Sequence, residues 1–236
     1  MRNAVRLLAV LTMFVFPLTV GNANDIYITQ SGDNLDLDVT QDGANNVAGT
    51  STTAVQLSGD DMTLEISQVG DTNVVTAIIN GDTYTGNINL TGDSNQVDLL
   101  CASGGTAGAG NCETVSMSID VTGDSADITV SIGETADAQN FVGTLDITSS
   151  ASETVTLTAD GTNADIDIDI TNSTGLTGNT ATYDQDGNGD VNGHSLVHSH
   201  TGDGGVINIT QGGTADAIVD LTTSGDNAAI DITQSD

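Results

Sequence analysis

The chain has 236 residues, with 33 Asp and Glu against two Lys and Arg, and a formal net charge of −31. That balance argues against nucleic acid as a partner, because two cations cannot neutralise a run of phosphates, and it disfavours anionic membrane surfaces for the same reason. Aromatic residues make up only 3%, yet Ile, Val and Leu are too plentiful and too regularly placed for a disordered acidic tail.

Residues 1–23 read as a cleaved secretory signal peptide. Arg2 and Arg6 supply a positive start, an apolar run extends from Leu7 to Val20, and Gly21-Asn22-Ala23 places small residues before a cut after Ala23. The run is short for a membrane span, and no membrane insertion is expected. Its removal takes both basic residues and the sole proline, Pro17, so the charge of −31 becomes −33.

From residue 24 onward, apolar and polar residues alternate in short stretches. Examples are Ile26-x-Ile28-x-Gln30, Leu35-x-Leu37-x-Val39-x-Gln41 and Met62-x-Leu64-x-Ile66-x-Gln68. Ile166-x-Ile168-x-Ile170, Ile207-x-Ile209-x-Gln211 and Ile230-x-Ile232-x-Gln234 follow later. This period-two pattern predicts half-buried strands. Between them a glycine-centred turn returns at Gly32, Gly43, Gly59, Gly70, Gly81 and Gly92, in equal steps except for a longer one from Gly43 to Gly59. Glycine is expected there for its tolerance of positive φ. Strand, turn and strand in about 11 residues is half a coil, so a full coil takes about 22 residues, within the usual range of repeat lengths.

The expected fold is therefore all-β: a β-solenoid of stacked strand–turn–strand repeats with irregular insertions in the middle. At about 4.8 Å per coil it has about ten coils and is roughly 45–50 Å long. Regular repeats cover 24–100. Residues 101–205 read as degenerate repeats with inserted loops, at about Cys101 to Cys112 and about Ser173 to Gly205. Regular repeats return over 206–236. The carboxylates amount to about one charge per 1.5 Å of length, denser than duplex DNA at about 1.7 Å. Self-association is expected to be held back by that repulsion and promoted by acid, salt or divalent cations.

The parity of Gln adds a chemical constraint. Gln30, Gln41, Gln68, Gln211 and Gln234 each lie two residues past an apolar residue, on the same face, and so point inward. A lone inward amide costs free energy, but an amide stacked on another amide passes hydrogen bonds along the stack. Gln56 alternates with Val55 and Leu57 and should face outward.

Two segments, Gln41-Asp-Gly43-Ala-Asn45-Asn46 and Gln68-Val-Gly70-Asp-Thr-Asn73, share the pattern Gln-x-Gly-x-x-Asn. This resembles the curlin repeat of curli subunits, which are secreted bacterial proteins that form extracellular amyloid fibres in biofilm matrix. The resemblance covers 26–95, weakens, and returns over 206–236. It implies a β-solenoid with Gln and Asn ladders, export through a bacterial secretion pore, and nucleated self-assembly outside the cell with a homologue as nucleator. Gln30, Gln41, Gln68, Gln211 and Gln234 take the family's inward Gln place, and Asn46, Asn73 and Asn95 its Asn place.

Other candidate sites are weaker. Asp184, Asp186, Asn188 and Asp190 sit at positions 1, 3, 5 and 7 of an EF-hand-type calcium loop, with Gly189 at 6, but Ser195 stands where the bidentate Glu belongs. An acidic repeat turn accounts for the same residues; no cofactor is required, and calcium is the ion those oxygens would take. His194, His198 and His200 share one face if extended and would suit a transition metal, but incidental histidines in a polar insertion are the simpler reading. Cys101 and Cys112, the chain's two cysteines, are expected to close a disulfide in a secreted protein. No catalytic constellation is present, so no enzyme is expected. An ice-binding face would need Thr-x-Thr stacked in successive coils, and the threonines do not recur with that regularity. The leading function is a structural fibre subunit for adhesion and biofilm matrix; the alternative is a monomeric, acidic, calcium-dependent adhesin.

Overall fold

A computed structural model describes residues 23–101, 114–132, 141–160, 164–172, 180–186, 194–202, 205–212, 217–226 and 228–235. The proposed signal segment lies outside the described residues, except for Ala23. The strands run in chain order as β1 (Ala23–Ile26), β2 (Thr29–Ser31), β3 (Asp36–Asp42), β4 (Asn45–Ala48), β5 (Val55–Ser58) and β6 (Met62–Val69). Next come β7 (Thr72–Asn80), β8 (Tyr84–Cys101), β9 (Val115–Ile132), β10 (Phe141–Asp160) and β11 (Ala164–Asn172). The last are β12 (Thr180–Asp186), β13 (His194–Thr201), β14 (Gly205–Gly212), β15 (Ala217–Ser224) and β16 (Ala228–Ser235).

The fold is a parallel β-solenoid. Every pairing between these strands is parallel. One stack runs β3-β6-β8-β9-β10-β11-β13-β15. The other runs β1-β4-β7, through the second halves of β8, β9 and β10, to β12, β14 and β16. Among the described residues the first therefore has eight rungs and the second nine, a stack of roughly 40 Å against the expected ten coils.

The coil length is less uniform than the glycine beat implies. The step from Leu64 to its partner Gly86 is that beat doubled, but the next step, from Gly86 to Met117, is longer by almost half. Coils recur about 26 residues apart on average. The doubled beat is thus the shortest coil, and the others lengthen it at corners or by a bulge. The bulge is residues 49–54, between β4 and β5, below an unbroken β7. It accounts for the long glycine step from Gly43 to Gly59. Residues 101–205, read from sequence as degenerate, contain strands as long as any before them, with 18 residues in β9 and 20 in β10 against 18 in β8.

Alternation decides what each strand buries. In β6, Met62, Leu64, Ile66 and Gln68 are buried while Thr63, Glu65, Ser67 and Val69 are not. Successive rungs put Ile66, Ile88, Ile119, Leu145 and Ile168 in one column of a continuous apolar core. Each such side chain contributes about 1.5–3 kcal/mol, and its contacts are mostly with the rungs above and below. Where the Tyr84 and Phe141 rings enter the core, a glycine two residues on makes room. A Cβ at Gly86 would overlap the Tyr84 ring, and one at Gly143 would overlap the Phe141 ring.

The glycine beat marks two corners per coil. Gly32, Gly59 and Gly81 stack at one corner; Gly43, Gly70, Gly92 and Gly123 stack at the other. The expected positive φ does not occur at Gly70, Gly92 or Gly123. Their requirement is close approach: a Cβ at each would overlap the carbonyl oxygen of the glycine one rung earlier. At the first corner the left-handed residue comes two places after the glycine, at Asn34 (φ 60°), Asp61 (φ 55°) and Thr83 (φ 59°).

Candidate functional site: amide ladders and open ends

The second corner holds an asparagine ladder four rungs tall. The Asn24 side-chain amide donates to Asn46 Oδ1 at 3.1 Å, Asn46 to Asn73 Oδ1 at 3.0 Å, and Asn73 to Asn95 Oδ1 at 2.9 Å. Each amide also ties down the turn. Asn46 Nδ2 donates to Val69 O at 2.8 Å, Asn73 Nδ2 to Thr91 O at 2.9 Å, and Asn95 Nδ2 to Gly92 O at 2.9 Å. Asn46, Asn73 and Asn95 are buried, so these bonds replace water that cannot reach them. The ladder ends because Ala126 stands above Asn95. Sequence reasoning missed Asn24; the signal for it is its place one shortest coil before Asn46.

The glutamines form two short ladders. Gln68 Nε2 donates to Gln41 Oε1 at 2.6 Å, and Gln41 Nε2 donates to the Asn24 and Val47 carbonyls. Leu90 is the next rung, so Gln68 Oε1 is left buried with no hydrogen-bond partner. At the other end of the molecule Gln234 Nε2 donates to Gln211 Oε1 at 2.9 Å. Gln30 does not join the Gln41–Gln68 ladder. It belongs to the other stack, sits in register with Leu57, and is exposed. Gln56 faces solvent, as its parity requires.

Both ends of the stack are open among the described residues. β1, β2 and β3 pair on one side only, and so do β15 and β16. The inward positions of the last rung are uncovered: Ile230 is 46% and Ile232 43% exposed, against 1% for Ile209 directly below Ile232. Ile26, Ile28, Leu35 and Leu37 at the first rungs, and Val219 and Leu221 at the last, are only partly buried.

The two ends present the same columns. Rung by rung, Ile26 connects through Ala48, Val75, Val97, Ile128, Val155, Ala181 and Ile207 to Ile230. Gln30 connects through Leu57, Ile79, Cys101, Ile132, Ala159, Gln185 and Gln211 to Gln234. In the other stack Leu37 shares its column with Val219, and Val39 with Leu221. No known protein family, curated protein or solved structure matches the chain.

The remaining candidates are dispersed. Asp184 and Asp186 belong to β12, a paired strand rather than a loop; Asn188 and Asp190 lie outside the described residues. Among the described residues no group of three or more His, Cys, Asp or Glu is placed to hold a metal. Cys101 is disulfide-bonded, and Cys112 lies outside the described residues. The histidines are not in a polar insertion: β13 continues the stack, and His198 and His200 point into the core.

Outward-facing columns carry most of the described charge, buried Glu153 being an exception. Asp120, Asp146 and Asp169 stack directly; desolvation and then the two neighbouring carboxylates raise the Asp146 pKa above the usual range. Beside them Thr91, Thr122, Thr148, Thr171 and Thr201 stack in one column. The threonines thus recur more regularly in space than in sequence. The column is one residue wide and borders aspartates, so it is not the Thr-x-Thr surface an ice-binding face needs.

Proposed function

We propose that this chain is the structural subunit of an extracellular fibre of the curli type, built by stacking copies end to end, for adhesion and biofilm matrix. The reading rests on the shared columns at the two ends. A second copy placed on the last rung would seat its Ile26 on Ile230, its Gln30 on Gln234, its Leu37 on Val219 and its Val39 on Leu221. Backbone pairing would continue through unpaired parallel edges, and apolar area left exposed by a missing rung would be covered. Gln30 would extend the Gln211–Gln234 ladder into the next copy.

Sequence supports the same conclusion. After residue 17 the chain has no Pro, Lys or Arg, so the proline and lysine that commonly block edges are missing. Export through a secretion pore and nucleation by a homologue are the partners the curlin resemblance implies. One stacked like-charge pair arises at the junction, because Asp38 shares a column with Asp220.

Electron microscopy and fibre diffraction test the proposal. The chain lacking residues 1–23 should form unbranched fibres with a repeat of about 4.7–4.8 Å along the axis. Ile232→Lys should leave a folded β-rich monomer that does not elongate, because an ammonium would be buried at the junction. Fibres growing at the wild-type rate from Ile232→Lys would overturn end-to-end stacking.

A further inference from the structure

His198 and His200 sit on the inward face of β13, one rung below the end of their stack. They are 1% and 3% exposed. Their rings stack with centroids 6.2 Å apart at 23°. The Tyr183 hydroxyl lies 3.3 Å from His198 Nδ1, and the Tyr183 ring meets the His198 ring at 5.4 Å. The Nε2 atoms of both histidines are buried with no hydrogen-bond partner.

Among the described residues, nothing that faces the pair can neutralise an imidazolium. β11 offers Ile168 and Ile170, β15 offers Leu221 and Thr223, and β14 offers Gly205, Ile207, Ile209 and Gln211. Tyr183 of β12 is the titratable group in contact among the described residues, and burial raises its pKa, so it stays neutral. The buried Glu153 lies in β10, two rungs from β14 in the other stack. A proton on either ring would therefore leave an unpaired buried charge, which is strongly destabilising.

We propose that His198 and His200 form an acid-operated latch: neutral, they let β13 to β16 close onto the stack, and protonated, they release those rungs into water. The pH window follows from the direction of the shifts. Burial, and secondarily the charge of His200, pushes His198 down from 6.5 to about 4, and burial also lowers His200. The open state then binds more protons than the closed one. Stability is complete above about pH 6.5 and is lost as pH falls from there towards 4, by up to about tenfold in the closed-to-open ratio per pH unit per imidazole. The released rungs carry Ile230, Ile232 and Gln234. Loss of a growing end in mild acid is the consequence, and that step rests on the end-stacking reading; the latch itself does not.

Amide hydrogen exchange on the dilute monomeric full chain, from pH 7.5 to 5.5, tests the latch. Protection factors for 196–200 and 207–211 should fall about tenfold or more, while those for 64–68 hold. The double variant His198→Phe, His200→Leu should abolish that fall. A parallel NMR titration of the wild-type imidazoles decides the matter even if the variant fails to fold. Titration of both rings near 6.5 with protection intact would overturn the latch, as would an equal loss of protection in the variant. Seeded fibre growth over the same range separates the two proposals: no fibres at pH 7.5 defeats end-stacking, whereas the exchange data judge the latch independently.

Discussion

Asn73 carries three duties at once: it accepts from Asn46, donates to Asn95, and holds the Thr91 carbonyl. Asn73→Ala removes each of them and should cost about 2–4 kcal/mol by urea unfolding, because partners are left buried and unpaired. Asn87→Ala, on the exposed face of β8, should change stability by no more than about 0.5 kcal/mol. The contrast follows from strand parity, which is readable without coordinates. The ends of the ladders are not. Leu90 and Ala126 stop them, and those residues are recognised as terminators only when rung partners are known. The histidines failed for a similar reason: their polarity argued for a loop, while burial between Ile168, Ile170, Leu221 and Thr223 overrides it.

Corners and coils were partly legible as elements. The glycine beat located both glycine columns, but the reason for glycine was different. At Gly92 the limit is the Gly70 carbonyl below it, a long-range contact that local turn chemistry does not reveal. Residues 49–54 show how a coil absorbs insertion. β4 ends opposite Val75 and β5 begins opposite Ala77, so one residue suffices between them where six are present. Deleting Thr50 to Ala54 should therefore give a coil of the shortest length with unchanged register. The expected loss is about 1 kcal/mol or less, since surface insertions cost little to close. A large loss of stability, or of β-sheet circular dichroism, would show that the bulge supports β7 instead.

At the scale of the molecule, charge and end chemistry oppose one another. Arg2 and Arg6 are the only cations besides histidine, and the outward columns place carboxylates one rung apart, as in Asp120, Asp146 and Asp169. The open ends offer apolar columns and backbone edges that favour association. Salt screens the first and leaves the second. At pH near 7, fibre growth followed by thioflavin fluorescence should accelerate as ionic strength rises. A rate that falls with salt would mean that the acidic columns do not set the barrier. Mild acid acts in the other direction through the His198–His200 latch, so the rate should decline between pH 7 and 5.5.

Period-two patterning was enough to derive strands, their buried faces and a stacked architecture, because alternation and glycine spacing are local properties of the chain. Register is not local. Short and long coils follow one another, as in the steps from Leu64 to Gly86 and from Gly86 to Met117. A shift of one rung or one residue would exchange every neighbour. Only the folded stack therefore aligns Ile26 with Ile230 and Gln30 with Gln234, ends one amide ladder beneath Leu90, and buries two imidazoles with no hydrogen-bond partner for either Nε2. The glutamines implied that amides must meet amides; close packing between rungs selected which of them do.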